Sequence, residues 1–232
     1  MKYAAARTQF FVWCTLAVSL AGTAAPLGSR WAGGETSRAA CDVLEREMMT
    51  EINRLRIHPQ SYVELLERRR NQYDGSKLTL TGQGYEFTVI TKEGWPAVEE
   101  AIRVLRTTPP LTPLKVSGGL SRAARDLARD QARRPHVSHT ASDGSTFIER
   151  ISRYLQNVQS AGESITVGGI PLAIEVVQKS LIDDGVKSRS HRLDLLSRDF
   201  SLVGVACEPQ AYYGFFCVTE FASQVGRSAA SR

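Results

Sequence analysis

Two runs near the C-terminus restrict the fold more than any other part of the sequence. Phe200 to Cys207 and Gly214 to Phe221 alternate apolar and polar residues with the period of two that a half-buried strand requires. A turn over Pro209 to Tyr213 joins them into an antiparallel hairpin. Pairing about that turn sets Cys207 almost opposite Cys217, where a cross-strand disulfide fits; two reduced core cysteines are the alternative.

Most of the chain before the hairpin reads as helices. Leu44, Met48, Ile52 and Leu55 recur at helical spacing until His58-Pro59 stops them. Ser61 to Glu64 has the spacing of a capping box and opens a second helix that runs into Arg68-Arg69-Arg70, read as a solvated end. Lys77 to Thr81 and Glu86 to Ile90 alternate like short strands, with an ordered loop as the other reading. A helix from Pro96 to Arg106 carries Val98, Ile102 and Leu105 on one face.

The next helix opens at Ser117 to Gly119 and continues to Arg134, with Leu120, Ala124, Leu127 and Gln131 on one face and Arg122, Arg125, Arg129 and Arg133 on another. Asp126 and Asp130 interleave with the arginines, so that face reads as salt-bridged and solvated rather than as an anion-binding stripe. Ser142 to Ser145 is a turn feeding a helix with Phe147, Ile148, Ile151 and Tyr154. A short strand, Ser164 to Val167, and a helix from Pro171 to Asp184, halted at Gly185, complete the series. Helices before, between and after short strands, without repeated βαβ alternation, make this an α+β sandwich.

Composition adds the compartment. Lys2 and Arg7, an apolar run from Phe10 to about Leu20 and the small residues Ala21 to Ala25 have the three parts of a secretory signal. The run is short of the ~20 residues that a spanning helix needs, and Trp13 before Cys14 removes the small residue a lipoprotein cysteine requires. The expected organisation is a signal peptide over 1–24, a linker over 25–40, a domain over 41–224 and a tail over 225–232, secreted and with no transmembrane segment after cleavage. Losing Lys2 and Arg7 takes the formal charge from +5 to +3, too small an excess to argue for nucleic acid. Cys41, Cys207 and Cys217 remain, an odd number, so Cys41 is either free or joins two chains.

No HExxH, GxSxG, CxxC or phosphate-binding glycine loop occurs, which removes the zincin, α/β-hydrolase and nucleotide-binding readings. What remains is a dispersed set, His139, Glu163, Asp183, Asp184 and His191, each beside a turn or an element end. Singly, each reads equally as a loop cap or a partner of Arg150, Arg189 or Arg192. No catalytic residue is assigned.

Together, four segments resemble one family. Ser138 to Ser145, then Gly162-Glu163-Ser164-Ile165, then Leu181 to Val186 with Arg189-Ser190-His191-Arg192, then Val203-Gly204-Val205-Ala206 are similar in type and order to the CAP superfamily, or SCP domain, closest to its short bacterial-type branch. The resemblance reaches upstream to Asn53 to Pro59 and Ser117 to Ser121. It implies a three-layer α-β-α sandwich with a small antiparallel sheet and a cleft lined by two histidines and two acids. Position by position, His139 and His191 match the histidines, Glu163 the first acid and Asp184 the second, with Asp183 as its substitute.

The resemblance also implies a divalent metal such as Zn²⁺ on the two histidines, sterol or fatty acid at other grooves, and an extracellular interaction role. A metal-dependent hydrolase with Glu163 as general base is its further alternative. Ser138 and Ser190 stand where the family commonly has glycine, and Ser164 where it has asparagine, so a reshaped cleft is expected. The basic run Lys187 to Arg192 is expected to oppose a cation.

Overall fold

The computed structural model describes residues 34–82, 85–169 and 171–224, the side chains of 34–37 and 82–87 excepted. In chain order the elements are α1 (Gly34–Ile57), α2 (Ser61–Glu67), a 3₁₀ turn (Arg68–Gln72), β1 (Tyr73–Asp74), β2 (Lys77–Gly82), β3 (Tyr85–Ile90) and α3 (Trp95–Thr107). There follow β4 (Lys115–Val116), α4 (Gly118–Gln131), α5 (Phe147–Ser152), β5 (Val158–Gly168), α6 (Ala173–Ile182), α7 (Ser190–Leu196), β6 (Leu202–Gln210) and β7 (Gly214–Gln224). Helix α1 begins at Gly34, inside the segment read as a linker over 25–40. The signal-peptide reading of 1–24 and the tail over 225–232 fall outside the described residues.

The main sheet has the order β4-β6-β7-β5, with β6, β7 and β5 antiparallel and β4 parallel to β6. A separate antiparallel sheet, β1-β2-β3, lies between α2 and α3 in sequence. Strand alternation divides the core. Phe215, Cys217 and Phe221 of β7 join Val203 and Val205 of β6 against Leu44, Leu55, Val98 and Leu181. Phe216 and Val218 point the other way, against Ala124, Leu127 and Ala128 of α4, and Ala222 meets Leu120 and Ala123. The sheet is therefore sandwiched between two helical layers, α4 and α5 on one face and α1, α3 and α6 on the other, the α+β three-layer arrangement expected.

The contact between α4 and the sheet depends on Gly204. A Cβ there would lie 2.2 Å from the Ser121 backbone nitrogen and 2.4 Å from the Leu120 carbonyl carbon, backbone atoms that cannot swing aside. Gly204→Ala is expected to cost at least about 1–3 kcal/mol through overpacking. An unshifted denaturant midpoint would contradict so close an approach.

The hairpin register sets Cys207 against Cys217 with Cα atoms 4.1 Å apart, and the disulfide is formed. That separation belongs to a non-hydrogen-bonded pair, in which the N–H and C=O of each residue turn away from the partner strand. For Cys207 they turn toward a free edge, because β4 pairs with β6 only at Leu202 and Val203. Side chains meet them there. The Cys207 N–H donates to Glu45 Oε1 at 2.8 Å, and its carbonyl accepts from Arg38 at 3.0 Å and Arg125 at 3.2 Å. Arg125 in turn grips both oxygens of Glu45 at 2.7 and 2.6 Å.

Local expectations are corrected at several places. Arg122, Arg129 and Arg133 are exposed and Asp130 pairs with Arg134, as the solvated, salt-bridged face requires, but Arg125 is tied to Glu45 of α1 and to the Cys207 carbonyl of β6, and Asp126 serves Arg153 and Tyr154. Ser61 does not cap α2; Gln60 precedes the helix, and the Ser61 hydroxyl donates to the His58 carbonyl at 2.7 Å. Arg69, in the middle of the triple arginine, is buried and paired with Glu175 of α6. Cys41 is buried too, its thiol pushed up to about 11 by burial, so it is not placed to join two chains. Among the described residues no helix is long and apolar enough to cross a membrane.

Candidate functional site

His139 lies on the loop between α4 and α5. A complete capping box between Thr146 and Glu149 fixes the start of α5, and the inward face of that helix carries Arg150 with no exposure to solvent. Arg150 donates through Nη1 to the carbonyls of His139 at 3.2 Å and Ser145 at 2.8 Å, and through Nη2 to Glu163 Oε2. Glu163 Oε1 meets His139 Nδ1 at 2.7 Å. A carboxylate already paired with a guanidinium only accepts, so Nδ1 carries the proton and Nε2 keeps its lone pair. The Glu163 side chain is 1% exposed and that of His139 is 43% exposed, so the free nitrogen belongs to the open side of the pair.

His191 is held in the same way at the start of α7. Asp183 ends α6 in the left-handed region at φ 56° and turns its carboxylate onto the next helix. Oδ1 meets His191 Nδ1 at 2.7 Å, and Oδ2 accepts the backbone N–H groups of His191 at 2.9 Å and Arg192 at 3.3 Å. Asp184, the first choice from sequence, goes elsewhere: its carboxylate accepts the N–H groups of Lys92, Glu93 and Gly94 at 2.6, 2.7 and 3.2 Å. The acid beside His191 is therefore Asp183. A left-handed residue ends the helix there and separates two adjacent aspartates onto different partners.

The serines and the basic run behave differently from expectation. Among described non-glycine residues, positive φ falls on Asn157, Asp183 and Arg189, and not on Ser138, Ser164 or Ser190, so these serines carry no backbone strain. Arg189 is bound by Glu93 and Glu100, each with a contact of 2.7 Å, and Arg192 donates to Glu100 at 2.6 Å and to the Ile182 carbonyl at 2.7 Å. These hydrogen bonds hold the Glu100 carboxyl down at about 2. The guanidinium charge that would oppose a cation is thus compensated where it stands.

Two further acids lie behind the histidines. Asp194 of α7 approaches Gly162 and Ser164 of β5, with Ser164 Oγ donating to Oδ2 at 3.4 Å. Burial pushes its carboxyl up to about 7, with the Ser164 hydrogen bond acting against it. Glu220 is the direct cross-strand partner of Glu163 and is fully buried. No donor reaches its carboxyl oxygens among the described residues, and the group it faces within hydrogen-bond reach is the Glu163 carboxylate. Burial, then the neighbouring Glu163 charge, raise it well above the carboxylate range.

The sequence model of the cysteine-rich secretory protein family, CAP, matches residues 99–221, just over half of the 232 residues. The chain belongs to this family. The match takes in both histidines, their carboxylates and the hairpin, while α1, α2 and the small sheet precede it. No curated protein matches the chain.

Solved structures similar to this CAP chain include an outer surface protein of Borrelia burgdorferi, 22% identical, with 55% of this chain and 95% of that one covered and a TM-score of 0.43. An extracellular protein containing an SCP domain from Bacillus anthracis is 23% identical over 55% of this chain and 38% of its own length, with a TM-score of 0.40. A cysteine-rich secretory protein of Staphylococcus aureus is 12% identical over 62% of this chain and 44% of that one, with a TM-score of 0.36.

Within this CAP domain the residues missed from sequence are Arg150 as the anchor of Glu163, and the acids Asp194 and Glu220. Glu220 left a signal: it shares a strand face with Phe216, Val218 and Ala222, and a carboxylate in that row is buried wherever its neighbours are. Asp194 left none, because the short helix α7 has too few turns for a periodic pattern.

His139 and His191 each have Nδ1 engaged by a carboxylate, and neither Nε2 has a hydrogen-bond partner among the described residues. Neutral imidazole suits Zn²⁺ or Cu²⁺, and a carboxylate on the far nitrogen fixes ring and tautomer. Among the described residues no three or more His, Cys, Asp or Glu converge as a cage for a metal ion.

Proposed function

We propose that this CAP protein works outside the cytoplasm as a binding protein, and that its ligand site is the cleft of His139 and His191, with a divalent cation as ligand. The observation that carries this reading is the pair of carboxylate contacts, Glu163 and Asp183 each 2.7 Å from a histidine Nδ1, which leave both Nε2 atoms available to ligate. A cation held there supplies a positive charge for an acidic or carbonyl group of an extracellular partner. Arg150 and the Asp183 cap do the positioning, keeping both rings oriented without a metal.

Calorimetric titration with Zn²⁺ near neutral pH and at pH about 5 tests the reading, since protonated imidazole does not ligate. Uptake is expected near neutral pH, weaker in acid and lost in the His139→Ala/His191→Ala double variant. Asp183→Asn, which alters the contact orienting His191, is expected to weaken binding by about 10- to 100-fold. Absence of uptake, or uptake that survives the double substitution, would overturn the proposal and leave a cleft used for direct protein contact.

A further inference from the structure

Helix α6 stops where Asp183 turns left-handed at φ 56°, which leaves its last carbonyls without a further turn of helix to donate to them. Guanidinium groups from the start of α7 meet those carbonyls instead. Arg192 donates through Nε to the Leu181 carbonyl at 2.6 Å and through Nη2 to that of Ile182 at 2.7 Å, and Arg189 donates through Nη1 to that of Asp183 at 2.7 Å. Positive charge is favoured there, since the C-terminal end of a helix dipole is negative. Glu100 of α3 bridges the two forks, with one oxygen on Arg192 at 2.6 Å and the other on Arg189 at 2.7 Å.

Asp183 and Arg192 thus hold the α6–α7 junction from opposite sides. Asp183 reaches forward: Oδ2 accepts the backbone N–H groups of His191 and Arg192, and Oδ1 meets His191 Nδ1. Arg192 reaches back past Asp183 to the two carbonyls that precede it. His191 lies inside this closed loop, next in sequence to the guanidinium and hydrogen-bonded to the acid. Arg192 is 3% exposed and engages all three guanidinium nitrogens, so its planar fork admits one register of α7 against α6. An ammonium in its place is a point charge without that fixed geometry.

We infer that Arg192 is a positioning residue of the cleft, fixing the direction of the His191 ring through the end of α6. This role rests on the cation reading for what the ring does, while the placement of the ring belongs to the chain alone. Behind His139, Arg150 stands directly on the Glu163 carboxylate. Behind His191 the corresponding guanidinium acts at one remove, on the backbone that carries Asp183. The basic run expected from sequence to oppose a cation thereby orients one of the two imidazoles that would hold it.

Arg192→Met and Arg192→Lys in the full chain test the inference, with Arg56→Lys as comparator. Arg56 is buried as well, and it holds the other end of α7 through the carbonyls of Leu195 at 2.9 Å and Ser197 at 2.8 Å. The first readout needs no metal: ring nitrogen NMR shifts of neutral His191, which separate the Nδ1–H tautomer that Asp183 selects from the Nε2–H form. Nδ1–H is expected to dominate in the wild type and in Arg56→Lys, to give way to a mixture in Arg192→Met, and to be partly kept in Arg192→Lys, which retains the charge. His139 should keep its wild-type shifts throughout. The second readout is Zn²⁺ titration, in which Arg192→Met is expected to bind about 10- to 100-fold more weakly, with Arg192→Lys in between. A wild-type tautomer at His191 in both Arg192 variants would overturn the inference. So would an equal loss in Arg56→Lys, the mark of general destabilisation. A wild-type chain that takes up no Zn²⁺ fails the cation reading alone, and the tautomer still decides the role of Arg192.

Discussion

Glu220→Gln is expected to stabilise the protein near neutral pH by about 1–4 kcal/mol and to flatten the dependence of stability on pH. Glu220 lies on the middle of β7 with Glu163 across from it on β5, and Arg150 and Asp194 are the other charged groups that act on it. Its carboxyl is raised, so the folded chain keeps a proton that the unfolded chain releases above a pH of about 4. The stability is fully present below that pH and is lost as pH rises toward the folded value. Glutamine, neutral throughout, removes that loss. Asp194 follows the same sign over a window from about 4 to about 7, so Glu220→Gln/Asp194→Asn should be flatter still. Urea midpoints measured across this range decide it: a variant that tracks the wild type at every pH would show that Glu220 is not held as the neutral acid.

Arg150→Met carries the second large effect, an expected loss of about 3–5 kcal/mol. Methionine can occupy much of the same volume, but Glu163 is then a buried carboxylate facing Glu220 with no guanidinium between them and solvent. The carbonyls of His139 and Ser145 lose their donors as well. If the cost is mainly the stranded charge, Arg150→Met/Glu163→Gln should recover a large part of it, and the double-mutant cycle should show an interaction energy of a few kcal/mol. Midpoints of the two single variants that simply add would assign Arg150 to packing alone. His139 should also become less ordered in Arg150→Met, visible as broadening of its imidazole NMR resonances.

The layers of the fold were legible because they depend on periodicity. The alternation of Val203, Val205 and Cys207 with Gly204 and Ala206 marks β6, and the Leu44, Met48, Ile52 and Leu55 spacing marks α1; these patterns survive folding because burial of one face is what makes the element stable. The disulfide was legible for the same reason, since a turn of known length fixes register. The site was legible only as residue types. Which of Asp183 and Asp184 meets His191 depends on a left-handed residue at the end of α6, a conformation usually marked by glycine and here taken by Asp183 itself. The ties of Arg125 to Glu45 and of Arg69 to Glu175 join residues 80 and 106 positions apart, a pairing that no local spacing announces.

The disulfide lies at a position where β6 has lost its neighbour strand, and the backbone groups of Cys207 that face outward are filled by Glu45, Arg38 and Arg125. An unpaired strand edge is a template for any extended chain that drifts against it, and an incoming strand would need those same N–H and C=O groups. Here it would first have to break a carboxylate and two guanidiniums away from them, expose the Arg125–Glu45 pair and lift α1 from the sheet. Charged side chains thus guard the rim of the hairpin against strand-to-strand self-association.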